Sequence, residues 1–265
     1  MMSLNNTEIL ALYDKEQRRD VEFFDTRREA LAHVVRHTSR PGGDGFVIYS
    51  NLVGADMESV VREQIAHFAS INQDFEWKVY SHDAPVELGP LLARLGFEEE
   101  PEETIVYLDL SAMPESLSAC NTANVERIFN PRDVDEICTI MTSAGNKGFS
   151  RIASSLKAEL VEDAEHIGIY VARKNGVPAS AGWIRFHEKS CFAGLWGGAT
   201  LPAWRRQGLY SALVAARAAE ASRRGVRYIT VDAAPTSRPI LEKFGFQALT
   251  RARAYVWHNP TTAAQ

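Results

Sequence analysis

Apolar residues recur along the chain in two stretches that share one order of elements. The first stretch begins with an apolar strand at 46–51, followed by a helix over about 56–72 whose apolar residues repeat at helical spacing. The second begins with a strand at 191–200, and a helix of similar pattern starts at Leu209. In each stretch a further strand then leads into Ala-Pro, a short helical pattern and Gly-Phe. This repetition predicts a tandem of two related α/β units.

The helix that begins at Leu209 is predicted to be amphipathic, with leucine and alanine on the face that is buried. Its opposite face is predicted to be polar and to face solvent, and this polar set consists of Arg217, Glu220, Arg223 and Arg224.

The second half contains more predicted elements than the first. Asn130-Pro131 is typical of a helix start, and Asn175-Gly176 is typical of the turn of a hairpin. A second helix is predicted at 152–165, with strands at 167–173 and 179–187 on either side of the hairpin turn. The first half shows only a helix near 8–18 and strands around Val34 and Val47, so it is interpreted as a truncated copy.

The segment between the two copies is rich in serine, alanine and asparagine, which is typical of a linker. We therefore expect a truncated domain at 1–112, a linker at 113–124 and a complete domain at 125–265.

Composition narrows the class of protein. The chain has 265 residues, of which 45% are apolar and 24% charged, values typical of a globular protein. The net charge of −5 argues against a nucleic-acid partner, because basic surfaces provide most of that affinity. No apolar run approaches the ~20 residues of a membrane helix, and the polar start does not resemble a signal peptide. Cys120, Cys138 and Cys191 are widely spaced, which predicts no disulfide framework and no metal site. A cytoplasmic location without membrane contact is expected.

The most informative segment lies between the strand at 191–200 and the helix that follows it. Gly208 stands at the mouth of that helix, where the free backbone N–H groups and the helix dipole attract anions. Arg205 and Arg206 add positive charge at the same place. A diphosphate group is the expected ligand, and the alternative is a solvated basic loop at a helix entry.

This loop resembles the coenzyme A pyrophosphate loop of the GNAT N-acetyltransferase superfamily, whose pattern is Arg/Gln-x-x-Gly-x-Gly/Ala. It stands here as Arg205-Arg206-Gln207-Gly208-Leu209-Tyr210, and the run from Leu241 to Phe246 resembles the family's late helix and Gly-Phe signature. The resemblance covers about 125–258. It implies a tandem GNAT-like acyl-CoA N-acyltransferase fold, with a mixed, mostly antiparallel sheet flanked by helices.

The resemblance also implies an activity and a set of binding residues. The activity is transfer of an acetyl group from acetyl-CoA to a primary amine of a small molecule or peptide, by direct attack and without a metal. The late strand of this family binds the pantetheine arm and thioester through its main chain, and the loop holds the diphosphate. The residues implied to bind acetyl-CoA are Ala199, Thr200, Leu201, Arg205, Arg206, Gln207, Gly208, Leu209, Tyr210 and Ser211.

Three positions depart from the family pattern. Tyr210 stands where Gly or Ala is preferred, Leu241 where many members have a Tyr that protonates the departing thiolate, and Ala234 where many have Asn. In the first half, the segment at 51–57 takes the place of the phosphate loop and contains Asp56 but no arginine. The first half is therefore expected to be a degenerate, non-catalytic unit.

Candidates for proton transfer remain open. Asp232 ends a strand beside the expected cleft and is the candidate base, with a turn-capping role as the alternative; His187 and Glu188 are interpreted as solvated turn residues. Tyr210 is the candidate acid, with packing or an adenine contact as the alternative, and water is a further candidate for both roles. Four tryptophans are predicted either to line an acceptor pocket or to pack in the core: Trp183, Trp196, Trp204 and Trp257.

Two other functions compete with acetyl transfer. The chain could bind an acyl-CoA without turnover, as a sensor or scaffold, which the leucine at position 241 favours. It could also transfer an aminoacyl group from aminoacyl-tRNA, since tandem GNAT-like halves occur in such enzymes, but the loop and the acidic charge argue against this. The expected partner is an amine acceptor, and a homodimer is a further possibility.

Overall fold

The computed structural model describes residues 4–145 and 149–260. The helices are α1 Asn6–Tyr13, α2 Met57–Ser70, α3 Leu88–Arg94, α4 Glu115–Ser118, α5 Val134–Ser143, α6 Phe149–Glu162, α7 Leu209–Arg223 and α8 Arg238–Lys243. The strands are β1 Thr26–Ala30, β2 Val34–Ser39, β3 Gly45–Ser50, β4 Phe75–Tyr80, β5 Glu98–Glu99, β6 Glu103–Asp109, β7 Val125–Ile128, β8 Ile167–Lys174, β9 Val177–Phe186, β10 Phe192–Thr200, β11 Tyr228–Ala233 and β12 Gln247–Trp257.

The chain forms two compact units. The first unit comprises Met1–Ile105 and Leu249–Gln265, and the second comprises Val106–Ala248. The C-terminal strand β12 therefore contributes most of its length to the first unit. The domains expected from the sequence, at 1–112 and 125–265 with a linker at 113–124, stay a prediction.

The first unit is built on strands β1, β2, β3, β4 and β12 in that order. Neighbouring strands are antiparallel except for β3 and β4, which run parallel. Strand β12 pairs with β4 from Ala252 opposite Tyr80 to Trp257 opposite Phe75. Residues of α2 and α3 pack with these strands in one apolar cluster that contains Phe68, Leu92 and the fully buried Trp77.

The second unit repeats this arrangement. Strands β7, β8, β9 and β10 are successively antiparallel, and β10 is then parallel to β11. Helix α7 packs on one face of the sheet, in a cluster with Leu213 and Ile184, and α5 and α6 pack on the other, in a cluster with Ile137 and Leu156. The succession of strand, helix, strand and helix predicted from the two sequence stretches is present in both units.

Residues 113–124, predicted to be a linker, contain α4 and the fully buried Leu117, and their role as a linker stays a prediction. Other details differ from the sequence-based expectation. The helix predicted near 8–18 is α1 followed by a π-helical turn at Asp14–Arg19. Strands β1 and β7 were not predicted, because both are short and contain several charged residues.

The predicted solvent face of α7 is wrong at two positions. Arg217 and Glu220 are only 1% and 3% exposed, whereas Arg223 and Arg224 face solvent as expected. Position 217 lies four residues after Leu213 and eight after Leu209, so helical spacing places it on the buried face of α7. It was predicted to lie on the solvent face because arginine is charged.

Within the described residues, no helix is long and apolar enough to cross a membrane. The same part of the chain contains no group of three or more His, Cys, Asp or Glu side chains placed to hold a metal ion. None of Cys120, Cys138 and Cys191 forms a disulfide bond.

Candidate functional site

The parallel strands β10 and β11 pair only at their amino ends. Phe192, Ala193 and Gly194 lie opposite Tyr228, Ile229 and Thr230, and beyond these residues the ladder contains no further pair in the described chain. Both strands continue, β10 to Thr200 and β11 to Ala233. The carboxyl halves of two neighbouring parallel strands therefore leave an opening between them, a common place for a ligand in α/β proteins.

A β-bulge in β10 faces this opening. Trp196 pairs with Trp183 of β9, but the next pair joins Ala199 to Ala181, so β10 has one residue more than its partner. One extra residue exchanges the two faces of a strand. Accordingly Leu195 packs in the cluster of α7, whereas Ala199 packs in the cluster of α5 and α6.

The bulge residues Gly197 and Gly198 have no room for a side chain. Gly197 has φ of +63°, and a Cβ on it would come 1.9 Å from the ring of Trp183; a Cβ on Gly198 would come 2.6 Å from the ring of Tyr210. Both glycines are exposed. Backbone, rather than side chains, is therefore what this part of β10 presents to a ligand.

Arg217 of α7 lies beneath the bulge. Its Nη1 donates to the carbonyl oxygens of Trp183 and Trp196, at 3.1 and 3.2 Å, and its Nε donates to the carbonyl of Leu213 at 3.0 Å. Burial lowers the pKa of this guanidinium to about 10. The arginine thus holds the last pair before the bulge and remains charged at neutral pH. Sequence reasoning missed it, although its helical spacing pointed to a buried position.

The loop after β10 exposes backbone donors at the start of α7. Gly208 is the N-cap of this helix, with φ of +81°, and no side chain caps it. Arg206 also has a positive φ, of 61°. The backbone N–H groups at 206–211 donate to no acceptor in the described part of the chain. Such a row of donors at a helix N-terminus is a site for an anion.

Two cations stand at the same place. Arg205 and Arg206 are exposed and form no ion pair with any described carboxylate. Arg205 donates instead to the carbonyl of Thr200 at 3.3 Å, and the amide of Gln207 donates to the carbonyl of Ala203 at 3.4 Å. The loop therefore holds positive charge that its own surroundings leave largely uncompensated, which suits a diphosphate.

The residues proposed to bind the pantetheine arm lie at the end of β10. Ala199 is buried, and its carbonyl accepts from Ser180 at 2.7 Å. Thr200 and Leu201 are half-buried, and the hydroxyl of Thr200 lies 2.7 Å from that of Ser180. These bonds fix the strand end directly before the loop.

The structure brings Tyr210 close to the bulge. Its ring covers Gly198, and Leu209 and Ser211 beside it are buried and half-buried in the first turn of α7. Burial raises the pKa of the Tyr210 phenol, while the nearby Arg217 acts in the opposite direction. A phenol with a raised pKa stays neutral and is able to donate a proton.

Asp232 is half-buried on β11, in the part of that strand that no longer pairs with β10. His187 and Glu188 lie in the turn before β10, at the opposite end of this strand from the loop, so neither belongs to the opening. Leu241 is fully buried in the α7 cluster. Of the four tryptophans, Trp183 and Trp257 are core residues, each in its own unit, and Trp204 packs partly buried against the α7 cluster. Trp196 is 39% exposed.

The first unit has the same opening, but a side chain fills it. Strand β3 pairs with β4 only at Gly45–Val47, and β3 has an extra residue at Ile48. Arg18, which is 1% exposed, donates to the carbonyl of Ile48 at 2.9 Å and to both carboxylate oxygens of Asp83 at 2.8 Å. Its guanidinium lies 3.8 Å from the ring centroid of Tyr80 on β4. Arg18 therefore joins the two strands where they separate.

Residues 138–258 match a family model described as an acetyltransferase (GNAT) domain. A comparison with curated proteins gives no match. Among solved structures, the chain is similar to a GCN5-related N-acetyltransferase from Kribbella flavida, with 14% identity over 97% of this chain and 96% of the other, and a TM-score of 0.66.

Two further structures are similar over most of their length. A functionally unknown conserved protein from Staphylococcus epidermidis is 11% identical over 95% of this chain and 99% of that one, with a TM-score of 0.68. A tandem GNAT protein from the clavulanic acid biosynthesis pathway is 14% identical over 97% and 88%, with a TM-score of 0.57. At these identities the likeness shows the fold. It confirms the predicted resemblance and the expected tandem of GNAT-like units in a mixed, mostly antiparallel sheet flanked by helices.

Proposed function

Because the chain carries a GNAT acetyltransferase domain at residues 138–258, we propose that its second unit transfers an acetyl group from acetyl-CoA to a primary amine. The acceptor would be an amine of a small molecule or a peptide. The observation that carries this proposal is the row of free N–H groups at 206–211, flanked by two arginines and placed beside the opening between β10 and β11.

Acetyl-CoA would bind along the end of β10 and the loop that leads into α7. The N–H groups of the loop, with Arg205 and Arg206, suit the diphosphate, and Ala199, Thr200 and Leu201 are the main-chain partners proposed for the pantetheine arm. Gly208 lets the chain enter α7 without a side chain over the donors. The remaining proposed contacts of the loop and first helical turn are Gln207, Leu209, Tyr210 and Ser211.

The reaction proposed is direct attack. The amine nitrogen forms a bond to the thioester carbonyl carbon, the carbon–sulfur bond breaks, and its electron pair leaves on sulfur. The amine gives up one proton to a base or to water, since an ammonium ion with a pKa of about 10 is not a nucleophile. The exposed backbone at the bulge would donate to the oxygen on which negative charge develops.

Asp232 and Tyr210 are the proposed proton-transfer groups. Asp232 lies on the strand that borders the opening and would accept the proton of the amine. Tyr210, kept as a neutral phenol by burial, would donate to the departing sulfur. If these roles hold, Asp232→Asn and Tyr210→Phe each lower kcat by roughly a hundredfold, the effect typical of one acid or base.

Calorimetric titration with acetyl-CoA tests the proposal. Arg206→Glu replaces attraction to the diphosphate with repulsion, so we expect affinity to fall roughly a hundredfold. Arg223→Glu is the matched control, since it makes the same charge change on an exposed arginine at the other end of α7. Equal affinities of the two variants, or no binding by the wild type, would contradict the proposal.

Turnover separates the enzyme from a sensor. Release of free CoA thiol is followed with a thiol-reactive dye while a set of primary amines is offered at alkaline pH. Acetyl-CoA binding without thiol release for any amine would favour the alternative function, an acyl-CoA-binding sensor or scaffold. The buried Leu241 is consistent with that alternative, because leucine provides no proton donor at this position.

A further inference from the structure

Arg217 is a buried cation without an anionic partner. It is 1% exposed, and the acceptors of its guanidinium are the carbonyl oxygens of Leu213, Trp183 and Trp196. No described carboxylate forms an ion pair with it. Carbonyl oxygens satisfy its hydrogen bonds but carry only partial charge. A net positive charge therefore remains directly beneath the bulge of β10.

Such a charge is costly to bury, and a buried arginine is normally paired with a carboxylate. The second unit contains pairs of that kind. Glu159, 3% exposed, accepts from Arg185 at 2.7 Å, and Glu220, 3% exposed, accepts from Arg127 at 2.8 Å. Arg217 differs from both of these arginines in being more deeply buried and in having only carbonyls as acceptors. An anion formed during the reaction would supply the missing partner.

We propose that Arg217 is a positioning residue that holds the bulge and whose fixed charge stabilises the CoA thiolate, so that acetyl transfer needs no proton donor at position 241. This inference rests on the proposed function of the same opening. When the carbon–sulfur bond breaks, its electron pair stays on sulfur and the thiolate leaves as an anion. The proton lost by the attacking amine passes to Asp232, the proposed base. The thiolate, once formed, takes up a proton from Tyr210, and water then reprotonates the tyrosine.

The location supports this role. Trp196, whose carbonyl Arg217 holds, directly precedes the exposed Gly197 and Gly198, where the main chain is proposed to meet the thioester. A Cβ on Gly182, opposite the bulge on β9, would lie 2.8 Å from Nη1 of Arg217 and 3.3 Å from Cα of Gly198. Nη1 of Arg217 therefore lies within about 6 Å of Cα of the exposed Gly198.

Other charged groups face this region, and their effects have to be separated from that of Arg217. Tyr210, on the same face of α7, is neutral at the pH of the assay. Asp232 on β11 is acidic and opposes the formation of a thiolate, whereas Arg205 and Arg206 favour it from the loop. Glu220, one turn further along α7, is engaged by Arg127 and by the hydroxyl of Tyr170 on β8.

The test measures the pKa of the thiol of bound CoA, which requires no turnover. Reduced CoA is bound at saturation, and the thiolate is followed by its ultraviolet absorbance and by the rate of alkylation with iodoacetamide as pH is varied. An opposite charge within a few ångströms lowers such a pKa by about one unit or more. We expect a lowering of about one unit in the wild type and an ordinary thiol pKa in Arg217→Met.

Arg217→Lys separates the effect of the charge from the effect of positioning. It is also the variant to measure if Arg217→Met does not fold. Lysine keeps the positive charge but lacks the planar fork that reaches two carbonyls. The bound thiol should keep most of its lowered pKa, while kcat falls because the bulge is held less well. Arg18→Lys is the matched control, because it changes the buried arginine beneath the equivalent bulge of the first unit, and it should leave the thiol pKa unchanged.

The outcomes distinguish this inference from the proposed function. If CoA does not bind the wild type, the proposed function fails and this inference fails with it. If CoA binds and its thiol has an ordinary pKa, or a lowered one that Arg217→Met leaves in place, this inference alone is overturned. A lowered thiol pKa that persists in Arg217→Lys and Arg18→Lys and is lost in Arg217→Met supports it.

Discussion

Each unit places a buried arginine at the bulge beside its opening, but from a different element, and the two arginines are used in opposite ways. Arg18 and Arg217 each donate to the carbonyl of a residue at a one-residue bulge, Ile48 on β3 and Trp196 on β10. Arg18 is neutralised by Asp83 and Asp14, and it spans the opening to β4. Arg217 has only carbonyls as acceptors and leaves the opening free. The first unit has thus turned its opening into core, and the second has kept it available.

The helix after each bulge shows the same contrast. In the first unit, the carboxylate of Asp56 accepts from the N–H of Ser59 and so caps the start of α2. In the second, Gly208 contributes no cap, and Arg205 and Arg206 stand where a negative group would bind. A carboxylate that already occupies the helix N-terminus excludes a phosphate there. A ligand site therefore arises where the chain leaves polar groups without partners of its own.

The largest expected effect tests this contrast through stability. Arg18→Met leaves Asp83, whose side chain is 6% exposed, as a buried and unpaired carboxylate, and such a change costs about 3–5 kcal/mol. Arg217→Met leaves only carbonyls without a donor and removes the cost of burying a charge, so we expect it to cost about 1–2 kcal/mol. Hydrogen exchange of the β3–β4 and β9–β10 amides measures each unit separately. A larger loss for Arg217→Met would show that the comparison is wrong.

The second effect is a pH dependence confined to the first unit. His37 is fully buried, stacks on Phe46 with 4.7 Å between ring centroids, and has its Nδ1 3.1 Å from the hydroxyl of Thr26. Burial, with a smaller contribution from Arg28, lowers its pKa to about 4. The unfolded chain, with an ordinary pKa near 6.5, binds a proton before the folded one does. Stability is therefore complete above pH 6.5 and is lost as the pH falls towards 4.

The expected loss is about 3 kcal/mol over this interval, from 1.36 kcal/mol per unit of pKa shift. Denaturant unfolding at pH 7 and at pH 4.5, followed by exchange of the β2–β3 amides, measures it. His37→Phe keeps an aromatic ring against Phe46 and should abolish most of the dependence, whereas His33→Gln, a change at a half-buried histidine beside β2, should retain it. Equal loss in both variants would assign the effect to other groups.

The sequence predicted what depends on local pattern. The loop from Arg205 to Gly208, the strand before it and the helix after it are present as expected, because glycine, arginine and apolar spacing act within a few residues. Arg217 was assigned to the solvent face because of its charge, although its helical spacing places it in the buried stripe. The carbonyls of β9 and β10 that accept its hydrogen bonds are distant in sequence. That a leucine stands at position 241, where many family members have a tyrosine, was visible in the sequence, and the structure adds that this leucine is fully buried.

The interaction that closes the first unit was not visible in the sequence. Arg18, Asp83 and Ile48 are far apart along the chain, and nothing in the residues near each of them indicates that they meet. The absence of arginine from 51–57 led to the prediction that this unit has no phosphate loop. That Arg18 fills the opening is known only from the structure, because pairing of charged residues distant in sequence leaves no periodic pattern.

The smallest effect compares one glycine in each loop. Gly54, before α2, and Gly208, before α7, have φ of +77° and +81°, and a Cβ on either would meet nothing within 4 Å. Replacing either with alanine therefore costs only the strain of the left-handed conformation, about 1 kcal/mol. The two variants should lose the same stability in urea unfolding. If both loops are only helix entries, the two variants should also bind acetyl-CoA with equal affinity. If the N–H groups of the second loop hold a diphosphate, calorimetry should show roughly tenfold weaker binding for Gly208→Ala and no change for Gly54→Ala. The reason is that only the substitution at Gly208 displaces N–H donors from a ligand.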